Sequence, residues 1–135
     1  MGVPKYFLGV EMATHPDGVF FHQNTYVKEI LNVAAMTNCN PMPTPLPQRI
    51  EDLDPRLFPE PTYFWSLAGK LQYLTITRPD IQYAVNLICQ IMHAPTMADF
   101  CLLKRILRYL KGTQHLGLHI RKDSNLSLLA YCDSD

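Results

Sequence analysis

Apolar residues recur every three or four positions through most of the chain and give way to strand-like runs at both ends. The strongest pattern lies in 68–96, where Ile81, Ala84, Val85, Ile88, Ile91 and Met92 share one helical face. A break at Arg78-Pro79 precedes this helix. Proline is tolerated in a first turn because the amide it lacks would have no intrahelical partner there. Asp80 just behind it sets a negative charge at the positive end of the helix dipole, and His93-Ala94-Pro95 stops the element. Ahead of it, 62–77 reads as a helix with Trp65, Leu67, Leu71 and Leu74 available for burial, its end weakened by Thr75-Ile76-Thr77. Behind it, Thr96-Met97-Ala98-Asp99 resembles a capping box with Asp in place of Glu. That cap opens a helix over 97–111 with Phe100, Leu103, Leu107 and Leu110 inward, closed by Gly112 where a left-handed terminus is easiest.

Near the N-terminus, 5–12 and 19–23 have the aromatic and branched content of strands, separated by a turn at His15-Pro16-Asp17-Gly18. Asn24-Thr25 can cap a helix running to Met36 with Tyr26, Val27, Ile30, Leu31 and Ala34 buried. In the last part of the chain Leu116, Leu118 and Ile120 alternate, Asp123-Ser124-Asn125 turns, and 126–133 reads as a second strand. Between 40 and 61 the pattern disappears. Pro41, Pro43, Pro45 and Pro47 alternate, Glu51, Asp52 and Asp54 follow, then Pro55, Pro59 and Pro61. Each proline removes a backbone donor and biases its predecessor to extended conformations. An extended surface connector is expected rather than a proline docking motif. The fold class is therefore α+β: an N-terminal β-hairpin, three to four helices and a C-terminal β-hairpin. The divisions fall at 1–36, 37–61, 62–112 and 113–135.

Composition narrows the function classes. Twelve Lys and Arg balance twelve Asp and Glu, so no global field draws the protein to nucleic acid or to an acidic membrane. No apolar run approaches the ~20 residues of a membrane span, and the N-terminus lacks the basic and apolar regions of a signal peptide. Met1-Gly2 is followed by Tyr6 where an acylation signal needs Ser or Thr. Cys39, Cys89, Cys101 and Cys132 form no CxxC pair, which suits a reducing intracellular compartment. His115 and His119 have no upstream cysteine pair to complete a zinc site. The sequence contains no glycine-rich phosphate loop, nucleophile elbow, HExxH or EF-hand. Asp133 and Asp135 would share a face if their segment is a strand. Lys104, Arg108 and Lys111 follow i, i+4, i+7 with Arg105 beside them. Such a stripe suits the negative end of its helix. It reads either as a solvated face or as a nucleic-acid surface.

Longer motifs carry a resemblance. Tyr6-Phe7-Leu8-Gly9-Val10-Glu11, Asp17-Gly18-Val19-Phe20-Phe21-His22-Gln23, Tyr26 and Cys39-Asn40-Pro41-Met42-Pro43-Thr44-Pro45 are followed by Gly69-Lys70-Leu71-Gln72-Tyr73-Leu74-Thr75-Ile76-Thr77-Arg78-Pro79-Asp80-Ile81. Then come Met92-His93-Ala94-Pro95, Arg105-Ile106-Leu107-Arg108-Tyr109-Leu110-Lys111-Gly112-Thr113 and Ala130-Tyr131-Cys132-Asp133-Ser134-Asp135. In this order and spacing the chain resembles the copia-type LTR retrotransposon Pol polyprotein over nearly its whole length. Similar pieces occur in plant genomes, including mitochondrial ones.

The resemblance implies the end of the reverse transcriptase, with thumb and connecting helices, running into the first strands of an incomplete ribonuclease H-like sheet. Phe7, Leu8 and Gly9 match the primer-grip hairpin. Lys104, Arg105, Arg108 and Lys111 become candidate contacts to an RNA–DNA or DNA duplex. Asp133 matches the first ribonuclease H carboxylate, in a pattern that normally continues Asp-Trp-Ala-Gly. The polymerase's Tyr-x-Asp-Asp has no counterpart in this sequence. No catalysis and no cofactor are expected of this chain alone; Mg²⁺ belongs to the intact parent. The implied partners are the duplex and the missing palm and ribonuclease H portions, with no membrane. The cytoplasm, the nucleus or a plant mitochondrion is the expected compartment. A folded relic or interaction module without nucleic-acid function is the alternative.

Overall fold

The computed structural model describes residues 5–51, 54–122, 127 and 129–132. Its architecture is α+β: a four-stranded antiparallel sheet and a body of four helices. The sheet differs from expectation in two ways. The first strand is broken in two, β1 (Tyr6–Phe7) and β2 (Val10–His15), because a tight turn falls at Leu8-Gly9. β3 (Gly18–His22) follows a turn at Pro16-Asp17, where proline's fixed φ is used and neither Asp17 nor Gly18 takes a positive φ.

The alternation at Leu118 and Ile120 is a real strand, β4 (Leu118–Arg121). It pairs with β3 in the register Phe21↔Leu118 and Val19↔Ile120, so the sheet order is β1-β2-β3-β4. The late strand thus adds to the N-terminal hairpin. The expected turn at 123–125 lies outside the described residues, as does most of the expected strand 126–133; Ser127 and residues 129–132 belong to no strand. Paired residues share a face of a sheet. The register therefore puts Phe7, Val10, Met12, Val19, Phe21, Leu118 and Ile120 on one side.

The core belongs to the helices. α1 (Asn24–Val33) buries Val27, Ile30 and Leu31; α2 (Pro61–Leu74) buries Phe64, Leu67, Leu71 and Leu74. A single 3-10 turn at Pro79–Ile81 leads into α3 (Gln82–Gln90), which buries Val85 and Ile88 beside Ile81. α4 (Met97–Gly112) adds Leu103, Ile106, Leu107 and Leu110. Trp65 does not join them. It is 44% exposed and its indole N–H donates to the Met92 carbonyl, while its neighbour Phe64 points inward.

Helix ends follow local chemistry with three corrections. The Thr96–Asp99 cap forms as expected, Asp99 N–H donating to Thr96 Oγ1 at 3.2 Å and Thr96 N–H to Asp99 Oδ2 at 2.8 Å. At α1 no side chain of Asn24 or Thr25 caps the helix. Glu11 of β2 does so instead, accepting from the Thr25 N–H at 3.2 Å and hydroxyl at 3.1 Å. α1 also stops three residues before Met36, because Ala35 turns left-handed (φ 55°) and Met36 N–H reaches back to the Leu31 carbonyl. Gly112 stays in the helix. Its role is space, since a Cβ there would lie 2.9 Å from Pro41 Cβ.

That contact belongs to a larger one. The proline-rich connector is bent at 43–46 and 48–49 rather than extended throughout, and it lies along α4 and is bonded to it. Met42 N–H donates to the Arg108 carbonyl (3.2 Å), Ala98 N–H to Asp54 (3.2 Å), Met97 N–H to Arg56 (2.8 Å) and Phe58 N–H to Pro95 (2.8 Å). Leu57 and Thr96 form an isolated antiparallel bridge, and the Phe58 ring stacks on Phe100 at 4.2 Å.

Candidate nucleic-acid interface

The candidate tip is built by one turn. Phe7 pairs with Val10, so Leu8 and Gly9 form a two-residue hairpin loop, and both have positive φ (51° and 82°). This is the geometry whose twist matches flanking strands. Glycine adopts it freely; leucine does so at a steric cost. The Leu8 carbonyl is held by the Tyr73 hydroxyl, which donates to it from the end of α2. Tyr73 in turn meets Tyr26 edge-on at 5.4 Å, and a Cβ at Gly9 would come within 3.1 Å of its hydroxyl. A pinned, conformationally costly turn thereby presents Phe7 at 62% and Leu8 at 73% exposure.

The four cations of α4 have other neighbours. Arg105 Nη2 donates to Thr44 Oγ1 at 2.9 Å and Arg108 Nε donates to the Asn40 carbonyl at 2.8 Å, both on the connector. Lys104 Nζ lies 5.1 Å over the Phe100 ring, and Lys111 is half-buried. None of the four is ion-paired to a carboxylate among the described residues. The tip thus leans on α2, whereas Arg105 and Arg108 turn to the connector. Asp133 and Asp135 lie outside the described residues. Among the described residues no three His, Cys, Asp or Glu side chains gather as a metal would require. No helix among them is long and apolar enough to cross a membrane.

Sequence pattern marks Arg78-Pro79 as a break and gives no hint of what the Arg78 side chain does. That side chain is 1% exposed. It donates through Nε and Nη2 to Asp80 (3.0 and 2.8 Å), and through Nη1 and Nη2 to the Thr113 carbonyl and hydroxyl (2.9 and 2.7 Å). The Tyr109 hydroxyl completes the group by donating to Asp80 Oδ2 at 2.7 Å. Burial works against the Asp80 carboxylate, but these hydrogen bonds and the Arg78 charge outweigh it and hold its pKa below the usual value. Arg78 ties the start of the 3-10 turn to the end of α4, where the chain departs for β4.

No family model and no solved structure matches the chain. AtMg00810, an uncharacterized mitochondrial protein of Arabidopsis thaliana, is 54% identical over 136 residues, spanning all of this chain and 57% of that protein. Retrovirus-related Pol polyproteins from the Arabidopsis thaliana transposons RE1 and RE2 are each 41% identical over 96% of this chain, which spans 9% of either polyprotein. The molecule is thus retrotransposon Pol sequence of a length much shorter than a polyprotein. Over nearly its whole length it is similar to copia-type Pol polyproteins, of which it spans only a small part.

Proposed function

We propose that this chain is a noncatalytic, strand-holding segment of a copia-type reverse transcriptase. The hairpin tip steadies the end of a primer, and α4 offers cations to the phosphate backbone of an RNA–DNA or DNA duplex. The observation that carries the reading is the Leu8-Gly9 turn, held by Tyr73 in a conformation leucine disfavours and exposing Phe7 and Leu8. An unfavourable backbone of that kind, fixed by a tertiary bond, is a recurrent feature of sites that grip a ligand. Phosphoryl transfer on a duplex uses two metal ions held by several carboxylates, and the sequence contains no Tyr-x-Asp-Asp. Polymerisation and hybrid cleavage therefore reside in the palm and ribonuclease H portions of a complete polyprotein, with their Mg²⁺.

Titration of a labelled RNA–DNA hybrid at low and moderate salt tests this. Binding should be indifferent to base sequence, because phosphate contacts carry none. It should weaken in Phe7→Ser, and the salt slope should fall by roughly 0.9 for each phosphate that the pair Lys104→Glu and Lys111→Glu no longer neutralises. Those two lysines are preferred to Arg108, whose replacement would also loosen the connector. Absence of binding at low salt would leave the second reading, a folded relic or protein-interaction module. Zero net charge and the engagement of Arg105 and Arg108 by the connector favour that reading.

A further inference from the structure

A cavity of about 640 Å³ lies between the connector and α4, within the size range of small-molecule sites. Its charge is not that of the chain. Four of the twelve Lys and Arg line it, namely Arg49, Lys104, Arg105 and Arg108, against two described carboxylates, Glu51 and Asp54. Asp54 is already committed. Arg56 takes both its oxygens, at 2.8 and 2.6 Å, and holds its carboxyl down at about 2. The cations, in contrast, have donors to spare. Among the described residues Arg105 Nε is buried with no hydrogen-bond partner, and Arg108 reaches the connector only through Nε. A buried guanidinium N–H without an acceptor is costly, and an anionic oxygen satisfies it best. Met42 and Leu102 give the same cavity an apolar wall.

We propose that this cavity binds an organic phosphate of mononucleotide size, the phosphate among the guanidinium groups and the base against the apolar wall. The ligand chemistry is a terminal phosphate on an aromatic nucleoside, whether as a free nucleotide or as the phosphorylated end of a strand. The site stands independently of the hairpin tip. It gives Arg105 and Arg108 a ligand that can reach them between two elements.

Adenosine 5′-monophosphate, adenosine and inorganic phosphate are titrated into the full chain at low salt, followed by calorimetry and by the alkylation rate of Cys101. That exposed cysteine lines the cavity. The monophosphate should bind saturably and protect Cys101, with adenosine and inorganic phosphate at least about tenfold weaker because each fills half of the site. Arg49→Gln should weaken the monophosphate about tenfold, and Cys101→Trp, which fills the cavity, should abolish its binding. Both variants should keep the parent unfolding midpoint, and Arg49→Gln should keep hybrid affinity. A 5′-phosphorylated tetranucleotide binding above the monophosphate would identify the strand end as the ligand, and the reverse order the free nucleotide. No monophosphate binding, equal binding of adenosine, or indifference to both substitutions would overturn the site. Duplex binding without monophosphate binding would sink this inference alone, and the opposite result would sink only the strand-holding role.

Discussion

The helical body and the sheet use apolar side chains in opposite ways. In the body, Ile88, Leu71 and Leu107 are fully buried, and the whole buried cluster comes from the helices, the 3-10 turn and Phe58 of the connector. In the sheet, one face collects seven apolar side chains, yet Phe7, Leu118 and Ile120 on it are 62%, 37% and 51% exposed. None of the seven joins the core cluster. A sheet face of this kind ordinarily packs on another layer. The body therefore carries the stability of the chain, and the sheet carries surface that the described residues leave open.

The contrast breaks most directly under paired truncations. Ile88→Ala should cost about 2–5 kcal/mol, the usual range for a buried branched side chain. Ile120→Ala should stay within about 0.5 kcal/mol, as exposed substitutions do. Urea unfolding of the two variants measures both. Similar costs would mean that the sheet face is covered in solution and that the two regions are not different in kind.

Arg78 lies at the seam between them, and Arg78→Ala should cost about 3 kcal/mol. Removing one partner of a buried ion pair costs about 3–5 kcal/mol, and the lower end applies because Asp80 stays one-third exposed and keeps the Tyr109 bond. The sharper readout is location. Hydrogen exchange should rise first at the end of α4 and in β4, downstream of Thr113, before it rises in α2. A uniform rise would make Arg78 an ordinary core residue.

The smallest effect is with acid. Asp80 has its pKa lowered on folding, so its contribution is fully present above the unfolded value of about 3.9 and is lost as pH falls below it. The unfolding midpoint should drop as pH falls below about 4, and Asp80→Asn should flatten that drop. An unchanged slope in Asp80→Asn would mean that other carboxylates carry the acid sensitivity.

Periodicity and end signals in the sequence determined the helices, because spacing and caps are short-range properties. The Ile81–Ile88 face, the Thr96–Asp99 box and the Pro16-Asp17 turn are where their residues predict. The α+β class and the copia-type family were legible for the same reason, as properties of residue order. Tertiary structure alone decided the rest. Leu118–Arg121 carries a strand pattern but no mark of its partner, and pairing across a hundred residues joined it to β3. Glu11 capped α1 from another strand, which no local capping rule anticipates. The break at Leu8-Gly9 depended on Tyr73, sixty-five residues away, to hold a leucine left-handed. The candidate interface shows the same limit. The i, i+4, i+7 spacing of Lys104, Arg108 and Lys111 set their common side of α4, but whether that side met solvent was set by the connector. The Asn40 carbonyl, just ahead of the first of its prolines, came to lie against Arg108. A one-dimensional pattern specifies which side chains share a face; only the packed chain decides what that face meets.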